Sequence, residues 1–109
     1  MEQTKELESL LAAFHLTWDN FPGMARLIDE RHTLLAVNAK AKEFGFEEGL
    51  CCAQVGNPEI HRNCKKGKVT LQGKAIVDRV VVDKVRGWVP VDGYPGIVVH
   101  FTVGIPELE

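Results

Sequence analysis

Four side chains of chemically capable types fall close together in the sequence: Cys51, Cys52, His61 and Cys64. Thiolate and imidazole are ligands for zinc, and thiolates hold iron–sulfur clusters. Two thiols brought together can instead form a reversible disulfide. The run reads Cys-Cys-x8-His-x2-Cys, which lacks the C-x2-C knuckle of a convincing metal site. His61 and Cys64 are three apart, which on a helix sets their Cβ atoms about 5–6 Å from each other on one face. The inert alternative is that the cysteines are small buried hydrophobes and His61 lies on the surface. A Cys52–His61 nucleophile pair has no third orienting group and no oxyanion site marked beside it. Ser9 is the only serine, and neither a phosphate loop nor a dinucleotide fingerprint occurs. No enzyme is expected.

The elements that must position these residues can be read from periodicity and caps. Residues 4–17 read as a helix, with Leu7, Leu10, Leu11, Phe14 and Trp18 on one apolar stripe and Pro22-Gly23 beyond its end. Met24–Asp29 and Thr33–Val37 read as short strands. Asn38 caps a two-turn helix that Gly45 ends, with Ala41 and Phe44 facing inward. The segment 46–56, which holds Cys51 and Cys52, is irregular. Asn57-Pro58-Glu59 opens a helix that runs to Gln72 and stops at Gly73, with His61 and Cys64 on it. Three strands follow over 75–83, 85–91 and 97–105, joined by short loops. They predict an antiparallel meander. The order of elements fits an α+β fold, one five-stranded antiparallel sheet with helices on one face.

Composition and charge limit the function. The chain has 109 residues, enough for one domain. Its 13 basic and 15 acidic residues leave a net charge of −2, which gives no general excess for nucleic-acid phosphates. A local excess exists over 57–74, where Arg62, Lys65, Lys66, Lys68 and Lys74 face one acid, Glu59. Its simplest reading is a solvated face matched to the helix dipole. No apolar run approaches the ~20 residues that a bilayer demands. No basic-then-apolar leader is visible, and three cysteines make an odd number for a disulfide framework. The expected compartment is the cytoplasm, with neither nucleic acid nor membrane as a partner.

Asp29 at the first hairpin, Asn38-Ala39 about ten residues on, and Gly45 after the short helix stand where a PAS domain carries these residues. The helix at 57–72 is similar to the family's F helix, and 75–105 to its three closing strands. The chain thus resembles a PAS domain over 20–107, with 1–19 as an N-terminal flanking helix. It departs from many relatives at His32, where the first turn often has glycine. It departs again at Gly104-Ile105-Pro106-Glu107, where Asp-Ile-Thr is common.

The resemblance implies a sensory module of a bacterial signalling protein, standing alone or separated from its output domain. It implies a pocket between the sheet and the F helix, lined by Ile60, Cys64, Val77, Val99 and Phe101, with Trp88 near its edge. Val99 and Phe101 are thereby expected to face inward, and Val98, His100 and Thr102 to point to the outer face. Such a lining favours a small, largely apolar ligand over an anion. No cofactor is the default, with haem on His61, a metal, or a small organic ligand as the candidates. The rival is a pure interaction domain whose core is filled. The stripe Leu7, Leu10, Leu11, Phe14 and Trp18 needs a partner, either the outer face of its own sheet or the same helix of a second chain. The resemblance favours the second, a homodimer.

For a redox switch, the expected bridge joins Cys64 to Cys51 or Cys52 and leaves one thiol over. Thiol counting with and without reductant tests this. Three free thiols under mild oxidant, with no dimer band, would remove it.

Overall fold

The computed structural model describes residues 2–51, 66–81 and 83–104. Helix α1 (Glu2–Trp18) leads into strands β1 (Met24–Ile28) and β2 (Leu34–Val37). Two short helices follow, α2 (Ala39–Glu43) and α3 (Lys66–Gln72). Strands β3 (Ile76–Val81), β4 (Lys84–Pro90) and β5 (Val98–Gly104) close the fold. The five strands form one sheet in the order β2-β1-β5-β4-β3, antiparallel at every junction. The expected meander of β3, β4 and β5 is present, and the chain's first hairpin pairs with its last strand.

The apolar stripe of α1 is covered in part by the chain's own sheet. Leu10 and Phe14 pack against Ala25, Leu27, Ala36 and Val99, with Leu11 and Trp18 at the margin. Trp18 also stacks on Phe101, at 6.1 Å between ring centres. Of the expected dimer residues, Leu10 and Phe14 are therefore covered within one chain, while Leu7 is exposed. This is the fold-back alternative, in which one sheet face supplies the cover that an isolated helix of this length needs.

Local chemistry explains the first hairpin. Asp29 Oδ1 accepts from the backbone N–H groups of Arg31 and Thr33, both at 2.9 Å. This carboxylate stands in for a backbone turn and tightens the loop. His32 at its tip has φ 66°, the one positive value among the described non-glycine residues. A residue with a β-carbon is strained there, which is why glycine is common at such positions.

Asn38 does more than cap α2. Its Oδ1 accepts from Ala41 N and from Ala25 N, both at 3.0 Å. Its Nδ2 donates to Gly23 O at 3.0 Å and to Trp18 O at 3.1 Å. The side chain is fully buried. One amide thus joins the end of α1, the turn after it, β1 and α2. At the other end of the helical segment, Gly73 has φ 68° and its N–H reaches Val69 O, which ends α3 as the sequence predicts.

Two predictions follow from these turns. Asn38→Ala removes all four side-chain bonds and should cost at least about 3 kcal/mol in urea unfolding. Asn38→Asp should also be strongly destabilised, because a carboxylate accepts from Ala25 and Ala41 but cannot donate to Trp18 and Gly23. Equal stability of either variant and the wild type would contradict the role given to Asn38. His32→Gly should raise stability by up to about 1 kcal/mol, seen as a higher unfolding midpoint, because it relieves the left-handed strain.

Candidate functional site

A sheet with side chains alternating between faces presents two different surfaces. On the face under α1, the residues are apolar. One row runs Ala25, Phe101, Gly87 and Val77 across β1, β5, β4 and β3. Gly87 is required there, since a β-carbon would sit 2.4 Å from the Phe101 ring.

The opposite face, against α3, is built from different chemistry. One row crosses all five strands as Val37, Arg26, His100, Trp88 and Ile76. The row beside it reads Met24, Thr102, Arg86 and Asp78. On the other side lies an apolar row of Leu34, Ile28, Val98 and Pro90. Arg26, Arg86, His100, Thr102 and Trp88 are all buried. Charged side chains are seldom buried this deeply without specific partners.

The partners are found across the rows. Arg26 Nη2 donates to Thr102 Oγ1 at 2.8 Å, and its guanidinium lies 4.7 Å from the centre of the Phe46 ring. Arg86 grips Asp78 with two bonds, Nε to Oδ1 at 2.7 Å and Nη2 to Oδ2 at 3.2 Å. This two-pronged geometry is the strong form of an ion pair. The Arg86 guanidinium also lies 4.8 Å from the centre of the Trp88 ring. His100 stacks parallel to Trp88, with centres 4.7 Å apart and planes within 4°. His100 Nδ1 is 2.8 Å from Gly87 O. A carbonyl only accepts, so Nδ1 carries the proton. Val69 of α3 packs with Trp88, Val98 and Ile76. Lys66, at the start of α3, is also buried, whereas Lys68 and Lys74 are exposed. The solvated reading of this basic stretch therefore does not hold for Lys66.

Trp88 is fully buried, and among the described residues its Nε1–H has no hydrogen-bond partner. A buried indole N–H normally finds an acceptor.

The sheet faces reverse the expected lining. Val99 and Phe101 face α1 and belong to the apolar core, not to an inner pocket. Val98, His100 and Thr102 occupy the inner face in their place. Val77 is 59% exposed on the outer face of the edge strand. Trp88 is the expected pocket residue that the inner face contains. Period-two alternation separates two faces but does not say which helix covers each, and it is the more apolar face that lies under α1. Ile60, Cys52, His61 and Cys64 lie outside the described residues. Among the described residues Cys51 is a free, half-buried cysteine, and its backbone forms an isolated antiparallel bridge with that of Thr33. Among the described residues no group of three His, Cys, Asp or Glu side chains is placed to hold a metal ion.

Arg26, Arg86 and Lys66 were missed as interior residues. Arg86 alternates with Val85, Gly87 and Val89 along β4. That pattern marks it only as belonging to the other face of the strand. No signal in sequence distinguishes a second covered face from a solvated one.

No family model matches the sequence, and no curated protein matches it. Solved structures do match in shape. A sensory box sensor histidine kinase from Vibrio cholerae superposes with a TM-score of 0.63 at 12% identity, covering 95% of each chain. The PAS domain from Bordetella pertussis BvgS superposes with a TM-score of 0.54 at 15% identity, covering 92% of this chain and 85% of that one. Strand order, the flanking helix and these superpositions agree: the chain has the PAS fold.

Proposed function

We propose that this chain is the sensory module of a signalling protein, and that it takes up a small molecule between the inner face of its sheet and α3. One observation carries the reading. The inner face places Arg26, His100 and Trp88 side by side in a single buried row. A face needed only for packing is better filled with aliphatic residues, as the face under α1 is. Buried polar groups that converge on one surface are the usual mark of a recognition site. The similar structures include a protein named as a sensor histidine kinase, which supports a signalling role. Recognition rather than catalysis is the proposed use of these residues.

Native mass spectrometry and an ultraviolet–visible spectrum of freshly purified protein test this, together with a thermal-shift screen of small metabolites. A bound mass lost on denaturation, or a saturable rise in the unfolding temperature, is expected. Arg26→Met should abolish that rise while keeping the fold. A bare chain mass, together with no shift from any compound, would leave the filled interaction domain as the better account.

A further inference from the structure

We propose that Asp92 is a site of spontaneous covalent modification, at which the folded chain converts an aspartyl peptide bond into an isoaspartyl one. The sequence has five aspartates, Asp19, Asp29, Asp78, Asp83 and Asp92, and Asp92 alone is followed by glycine. The reaction needs the backbone nitrogen of the next residue to reach the side-chain carboxyl carbon, and a side chain on that residue obstructs the approach. The turn between β4 and β5 holds the pair in the open. Asp92 and Gly93 are both exposed, and a β-carbon built on Gly93 would meet nothing within 4 Å.

The geometry of the turn leaves the reacting bond free to move. Tyr94 N donates to Val91 O at 3.1 Å, which makes Asp92 and Gly93 the central pair of a β-turn. Gly93 has φ 83° while Asp92 does not have a positive φ, the pattern of a type II turn. Among the described residues, nothing accepts from the Gly93 N–H, and nothing donates to Asp92 O or to the Asp92 carboxylate. The plane of that peptide therefore rotates without breaking a hydrogen bond, and glycine takes up the change in φ at no steric cost. Rotation about ψ of Asp92 is the motion that carries Gly93 N to the carboxyl carbon. Asp29 and Asp78 are instead held by two hydrogen bonds each, and Asp19 lies against His15. In the reaction the nitrogen attacks the carboxyl group in its acid form. The N–Cγ bond forms, the Cγ–OH bond breaks, and the hydroxyl leaves with the amide proton as one water. Water then opens the succinimide ring. Addition at Cγ restores aspartate. Addition at the main-chain carbonyl breaks its bond to nitrogen, frees the α-carboxylate and routes the backbone through Cβ and Cγ. No other reactant is consumed. The product adds one carbon to the turn beside Tyr94, which packs against the core under α1.

Prolonged incubation of the folded chain at neutral pH and body temperature, in water enriched in heavy oxygen, tests this. Trypsin releases residues 87–109 as one peptide, in which Asp92 is the only aspartate. Each passage through the ring should leave one heavy oxygen in this peptide. A second chromatographic form should also appear, resistant to an endoproteinase that cuts before aspartate. Asp92→Glu would have to close a larger and slower ring, so it should take up no label. Gly93→Asn should keep the turn, because asparagine tolerates a left-handed backbone, and should slow the labelling through its side chain. The same chain unfolded in urea gives the reference rate. The folded chain should react within about tenfold of that rate, a factor equal to about 1.4 kcal/mol in the barrier. Three outcomes would overturn the proposal: labelling confined to the unfolded chain, label at another aspartate of the folded chain before Asp92, or undiminished labelling of Asp92→Glu.

Discussion

The buried amide of Asn38 is the junction on which the architecture depends. Its four hydrogen bonds reach Trp18, Gly23, Ala25 and Ala41, and its own backbone N–H donates to Ala25 O. These contacts set the angle at which α1 returns to the sheet and the point at which α2 leaves it. An amide suits this position because it offers two donors and an accepting oxygen within one flat group. The surrounding polar backbone groups are far from water, so each bond counts for more than it would at the surface. With the end of α1 held to Asn38, Leu10 and Phe14 come down on Leu27 and Val99.

That placement gives the sheet its two characters. The face under α1 is a core of aliphatic and aromatic side chains, with Trp18, Phe21 and Phe101 in mutual edge and stacked contacts. Stability can therefore be drawn largely from one face. The other face is free to carry Arg26, Arg86 and His100, groups whose burial costs free energy unless each is matched. They are matched laterally, through Thr102, Asp78, Gly87 and the rings of Phe46 and Trp88. Lateral matching ties each of these side chains to a neighbour on the same face of the sheet.

Among the described residues, backbone strain and an unmatched buried donor occur at different places. His32 holds a left-handed backbone at the tip of the first hairpin, where Asp29 over-determines the turn. Trp88 keeps a buried donor without an acceptor in the middle of the inner face. The first is a local cost absorbed by a strong turn. The second has no acceptor among the described residues.

Most of the fold was legible in the sequence, and the reason is local. The Asn38 cap, the stops at Gly45 and Gly73, and the alternation in β4 and β5 act over a few residues, so residue type and spacing determine them. The expected five-stranded antiparallel sheet and the amphipathic α1 are both present. What tertiary structure alone decided is which face of the sheet meets which helix. Val99 and Phe101 against α1, and His100 and Thr102 against α3, have the same alternation as the reverse arrangement. The burial of Arg26 is of the same kind, since Thr102, the acceptor that matches it, lies 76 residues away. Periodicity is a property of one strand, whereas cover and charge matching belong to pairs of elements brought together only by folding.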